Sequence, residues 1–197
     1  MNVSIAHCHI VGITPLSQSR QHGDEKLPSE DPGAYDERTW RSKLNVGTAA
    51  GKPTVVIPAH GMQQAIAAAA KYSKTRIPGK GTATWTAKFV AGIALLEDPP
   101  LGIDPASVAS VTISANADGV RGSGKRVPRR FPVMPQWEST FDVHILDPII
   151  TEEIFTETIT IAGLFIGVGR FRPEKGGTNG RFSVERITWS DNRQMTG

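Results

Sequence analysis

The stretch Gly163-Leu164-Phe165-Ile166-Gly167-Val168-Gly169-Arg170-Phe171-Arg172-Pro173-Glu174-Lys175-Gly176-Gly177-Thr178-Asn179-Gly180-Arg181-Phe182 holds six glycines, four arginines or lysines and three phenylalanines. Glycine reaches positive φ and lets its N–H approach a ligand closely, and arginine carries a permanent forked cation matched to phosphate. The composition reads as a cradle for a phosphate backbone. A helix C-cap running into a hairpin would use glycines in the same way, so both readings stay open at this point.

Both flanks of this stretch are regular. Before it, Ile150, Ile154, Thr158 and Ile161 recur at helical spacing, Glu152 and Glu153 suit the first turn, and Gly163 is the expected stop, which predicts a helix over 151–162. After it, Phe182, Val184, Arg186 and Thr188 alternate with Ser183, Glu185, Ile187 and Trp189, a strand over 181–189. Further out, Trp137, Ser139, Phe141, Val143 and Ile145 alternate with polar residues in a half-buried strand, closed by Asp147-Pro148. The N-terminal half supplies a strand over 3–13, a helix on Met62, Ala65, Ile66, Ala69 and Ala70 ending near Tyr72, a buried strand over 92–96 and a short strand over 108–114. Two polar stretches, 17–53 and 98–136, read as long loop insertions, the first interrupted only by Tyr35 and Trp40.

Without the insertions the order is strand, helix, strand, strand, helix, strand. This predicts an α+β fold with a ferredoxin-like (RRM-like) βαββαβ core in a single domain over 1–197. Such a core covers one face of a four-stranded antiparallel sheet with helices and leaves the other open.

At 39% hydrophobic and 21% charged residues the chain has the composition of a globular protein, and no apolar run approaches the ~18 residues of a membrane helix. The opening residues lack a secretory pattern and there is one cysteine, so the expected location is the cytoplasm of a bacterial or phage-infected cell. Net charge is only +3, but acids and bases are segregated: acids crowd 24–37, whereas Arg121, Lys125, Arg126, Arg129 and Arg130 crowd a Gly- and Pro-rich run. A mobile basic loop of this kind can wrap nucleic acid and order on it. A second basic segment carries Arg76, Lys80, Trp85 and Lys88, where a ring among cations could stack a base, or Trp85 could simply pack in the core.

Catalytic signals are sparse. His7 and His9 share a strand face with Cys8 opposite, but no further ligand pair completes a zinc motif, so no metal is expected and structural histidines are favoured. Gly79-Lys80-Gly81-Thr82 lacks the preceding glycine of a nucleotide-binding loop. No cofactor motif stands out.

A glycine-rich segment between the last helix and last strand of such a core resembles the RAMP superfamily of CRISPR-associated RNA-binding proteins. The run from His9 through Gly12-Ile13-Thr14-Pro15 to Arg20 is similar to the first strand and following loop of that family's backbone subunits. The tail over 126–182, ending Gly180-Arg181-Phe182, is also similar to small bacteriophage proteins. The resemblance implies a non-enzymatic subunit that binds single-stranded nucleic acid, guide RNA before DNA, and assembles as copies along the strand with other CRISPR effector subunits. It places Gly167, Gly169, Arg170, Arg172 and Gly180 beside phosphate, with Lys175 and Arg181 in the same loop and Arg20 at the sheet edge, and it makes 119–130 a thumb-like clamp. Two alternatives accompany it. One is a RAMP-type RNA endonuclease in which His22 activates a 2′-hydroxyl without metal. The other is a phage structural or interaction protein, including an inhibitor mimicking a CRISPR subunit, whose basic loops meet an acidic protein.

Overall fold

The computed structural model describes residues 3–116, 124 and 126–192. In chain order the elements are β1 (Val3–Gly12), β2 (Leu16–Ser17), α1 (Pro32–Thr39), β3 (Val46–Ala49), β4 (Lys52–Val55), α2 (Ala59–Ser73), α3 (Thr86–Ala91), β5 (Ile93–Ala94), β6 (Ala109–Asn116), β7 (Arg126–Met134), β8 (Glu138–Ile145), α4 (Glu152–Ile161) and β9 (Phe182–Asn192). The fold is α+β with antiparallel sheets. The main sheet runs β5-β8-β1-β9, a second runs β2-β7-β6, and β3 pairs with β4. Among the described residues no helix is long and apolar enough to cross a membrane.

The core forms where the main sheet meets α2 and α4. Ala6, Cys8 and Ile10 of β1, Phe141, Val143 and Ile145 of β8, and Met62, Ile66 and Ala69 of α2 are buried together with Phe155 and Ile159 of α4. Burial pushes the Cys8 thiol up to about 12, so it behaves as a small apolar side chain. β9 departs from simple alternation. Its register with β1 shifts between His9 and Ile10, which lets Phe182, Val184, Ile187 and Trp189 all pack toward the core although the sequence places them on alternating faces.

Neither polar stretch is a plain loop. Within 17–53 lie α1, a tight turn at Trp40–Lys43, β3 and the start of β4, and Asp36, Trp40 and Lys43 are buried. Within 98–136 lie β6 and β7, paired from Ala109↔Val133 to Asn116↔Arg126. Pro128 and Pro132 conceal β7 in the sequence, because proline cannot donate to a ladder. They share a parity with Arg130, whose N–H donates to the Asp36 carboxylate rather than to β6, so along β7 the prolines sit where no ladder bond is lost. Residues 126–130 therefore belong to a strand and not to a mobile loop. Two smaller expectations also change. The helix does not stop at Gly163 but widens into a π turn over Ala162–Ile166 and ends at Gly167, and the strand expected over 92–96 spans only Ile93–Ala94, leaving Leu96 exposed.

Candidate functional site

The glycine-rich stretch folds as an irregular loop pinned to the N-terminal turn. Arg170 donates its N–H to the Ser17 carbonyl at 2.7 Å, Gly180 donates to Pro15 at 2.9 Å and Val168 donates to Gly180 at 3.0 Å. Gly169 has φ +75°, and a Cβ there would meet the Ser17 carbonyl oxygen at 2.5 Å, so only glycine lets the loop lie this close to β2. The N–H groups of Gly167, Val168, Arg170, Asn179 and Gly180 all donate within the protein. These amides are spent on an internally bonded scaffold that presents side chains.

Arg170 is the centre of what it presents. Its guanidinium carbon lies 3.5 Å from the ring centroid of Phe131 on β7 and 3.9 Å from that of Phe171. Cation–π contact of this kind holds the head group without neutralising it. Among the described residues no carboxylate pairs with it, and burial lowers its pKa to about 10. Phe171 itself has φ +58°, a left-handed conformation that a bulky residue adopts only when its surroundings impose it.

Two connected clefts meet at this side chain. The first, about 700 Å³, lies between the loop and α2; the second, about 780 Å³, lies between the loop and the β6–β7 ribbon. Ser19, Arg20, Gln21, Arg170 and Lys175 line both. Arg126 and Arg129 add positive charge to the second, which no carboxylate lines among the described residues, although Asp36 behind its wall pairs with Lys43 and lies 3.6 Å from Arg129; Glu174 is the one carboxylate lining the first among the described residues. Glu174 is bonded to Arg172 at 2.9 Å and paired with Lys175 at 3.3 Å. The paired clefts form a cationic trough with an aromatic-clamped arginine at its waist, an arrangement that attracts a polyanion.

The chain superimposes on the crystal structure of Cmr6 from Pyrococcus furiosus with a TM-score of 0.50 and 13% identity, covering 93% of this chain and 99% of that one. The chain has the fold of Cmr6. A chain of a type III-B Cmr-beta complex bound to cognate target RNA gives a TM-score of 0.48 at 13% identity, covering 95% of this chain and 61% of that chain. A chain of a CRISPR RNA-guided surveillance complex gives 0.42 at 10% identity, covering 95% and 68%. No family model matches, and no curated protein matches in sequence.

On this Cmr6-like frame, Arg20, Arg126, Arg129, Arg170, Arg172, Lys175, Gly167 and Gly169 are brought together around the trough. The rest are not. Lys80 is exposed away from both clefts, Lys88 is bonded to Asp147 at 2.9 Å, and Trp85 is buried in the core rather than presented to stack a base. Arg130 turns to Glu37 and to Ser110, and Arg181 donates to the Leu164 carbonyl at 3.0 Å. Gly180 is buried as packing, and Arg121 and Lys125 lie outside the described residues. His22 lines the second cleft with Asp24 at 3.0 Å, whereas His7 sits between Asp142 and Ser190 on the open sheet face, away from both clefts. No group of metal-ligating side chains occurs among the described residues. Phe131 and Phe171 were not singled out from the sequence, although the Arg-Phe pairs Arg130-Phe131 and Arg170-Phe171 were a visible signal.

Proposed function

We propose that this chain is a non-enzymatic subunit that binds single-stranded nucleic acid, RNA before DNA, in the trough around Arg170 and takes part in a CRISPR-like ribonucleoprotein. The observation that carries this reading is Arg170, clamped between Phe131 and Phe171 with no acidic partner among the described residues and flanked by the other cations of the trough. A guanidinium prepositioned at low entropy and left unneutralised is suited to phosphate. The core supports the same reading. Strand order β5-β8-β1-β9, with α2 leading toward β5 and α4 toward β9, fits the ferredoxin-like arrangement, and the fold likeness to Cmr6 agrees with the RAMP resemblance. Copies of the chain would lie side by side along the strand.

Binding should be dominated by phosphate. If about five phosphates are neutralised, log K against log salt falls with a slope of roughly −3.5 on a single strand. The test is purification from the expression host, with size and absorbance ratio compared before and after ribonuclease. A large RNA-containing particle that collapses supports the proposal; a clean, nuclease-insensitive assembly moves the function to protein interaction. The position of His22 in the second cleft keeps the endonuclease reading in play. Labelled RNA incubated with chelator should stay intact, and cutting that His22→Ala abolishes would establish a nuclease.

A further inference from the structure

The first cleft differs in chemistry from the second. Opposite its cationic wall stand Asn45, His60 and Gln64, with Gln21 at the junction, and none of these side chains is bonded to another of the described residues. Gln18 makes the contrast: its carboxamide is buried and bonded through both its nitrogen and its oxygen, donating to the Val56 carbonyl at 2.8 Å and accepting the Asn45 N–H at 2.7 Å. That clamp holds the Asn45 backbone at the cleft wall. Between the polar groups, Ile57, Ala65 and Ile166 give an apolar surface, and Gly61 keeps the helix side open, since a Cβ there would meet only Pro58 at 3.9 Å. The volume, about 700 Å³, falls in the range of small-ligand sites.

We infer that the first cleft receives a base of the bound strand and reads its edge, favouring adenine over uracil, while the Arg20, Arg170 and Lys175 junction holds the adjoining phosphate. Carboxamides are suited to adenine, since one amide can accept from N6 and donate to N7 at once, and apolar walls take the faces of the ring. The inference rests on the nucleic-acid reading and adds base selectivity to it.

The experiment measures binding of the full chain to labelled oligouridine of about twelve nucleotides and to the same strand carrying one internal adenine. The adenine strand should bind about tenfold more tightly, the discrimination typical of one well-formed edge contact. Gln64→Ala and Asn45→Ala, both on accessible side chains, should each shrink that ratio by weakening the adenine strand more than oligouridine, with the salt slope of both strands kept. Equal affinity for the two strands, or a ratio that survives both substitutions together, overturns base readout and leaves the phosphate-binding reading standing. Failure of either strand to bind at low salt sinks the nucleic-acid reading itself. Adenosine monophosphate that binds as tightly as the strand would assign the cleft to a free nucleotide and overturn its role on the strand.

Discussion

Two cations meet the ring of Phe131, and the protein treats them in opposite ways. Lys43 Nζ lies 4.4 Å from the ring centroid and is buried, bonded to Asp36 Oδ1 at 2.7 Å and to the Arg130 carbonyl at 2.6 Å. Arg170 lies 3.5 Å from the same ring, and no carboxylate pairs with it among the described residues. A buried cation neutralised by a carboxylate and bonded to a backbone carbonyl is a structural group; a half-buried one held by rings and left charged is available to a ligand. Lys43 anchors the segment over α1 to β7 by joining Asp36 to the β7 backbone. Arg170 faces the trough.

The largest effect expected from this contrast is on stability. Lys43→Met leaves Asp36 buried without its closest cation, and breaking a buried pair from one side costs about 3 to 5 kcal/mol. Urea denaturation measures it directly. A loss below about 1 kcal/mol would mean that Arg129, 3.6 Å from the same carboxylate, is a sufficient substitute, and Lys43 would then lose its structural role.

Arg170→Ala should act on the other side of the comparison. A charge-assisted bond to phosphate contributes about 1.5 to 3 kcal/mol, so RNA affinity should fall about tenfold to a hundredfold with the denaturation midpoint unchanged or slightly raised. Arg170→Lys should recover part of the affinity, because an ammonium keeps the charge but not the fork or the stacking. A variant that unfolds with no separable effect on binding would place Arg170 with Lys43 among the structural cations.

Phe171 sharpens the contrast further. Its left-handed backbone costs about 1 to 2 kcal/mol, while its ring holds one side of the Arg170 head group. Phe171→Gly removes both cost and ring, so stability should change little while affinity falls by a few fold. Phe171→Ala keeps the cost and loses the ring, and should be the less stable of the two by about 1 kcal/mol. Equal stability of the two variants would show that the backbone there is not strained.

The features that were legible in the sequence are those written in local periodicity. The buried faces of α2 and β8 follow from Met62, Ile66 and Ala69 and from Phe141, Val143 and Ile145, and the loop containing Arg170 stands out by composition. What was illegible depends on distant partners. β7 is hidden by prolines whose harmlessness is visible only once Asp36 is seen taking the Arg130 N–H. The Phe182, Val184, Ile187 and Trp189 face needs the bulge opposite His9 and Ile10. Among cations, spacing cannot distinguish Arg130, turned to Glu37, from Arg170, turned to the trough, because the deciding acid is 93 residues away in one case and absent among the described residues in the other.

The smallest effect concerns Lys88, a cation that composition grouped with the binding residues. Its bond to Asp147 at 2.9 Å holds that carboxyl below its usual value, helped by the Ile149 N–H. The carboxyl is depressed in the folded state, so its contribution is present above the unfolded pKa and is lost as pH falls through the folded one. Lys88 is partly exposed, so the pair contributes no more than about 1 kcal/mol. Lys88→Ala should therefore lower stability slightly at neutral pH and flatten its decline in acid below the ordinary aspartate range, without changing RNA affinity. Lys80→Ala should change neither quantity. If either substitution weakened binding as much as Arg170→Ala, the bound strand would have to leave the trough and cross α3, and the distinction between ligand-facing and structural cations would fail where it is most sharply drawn.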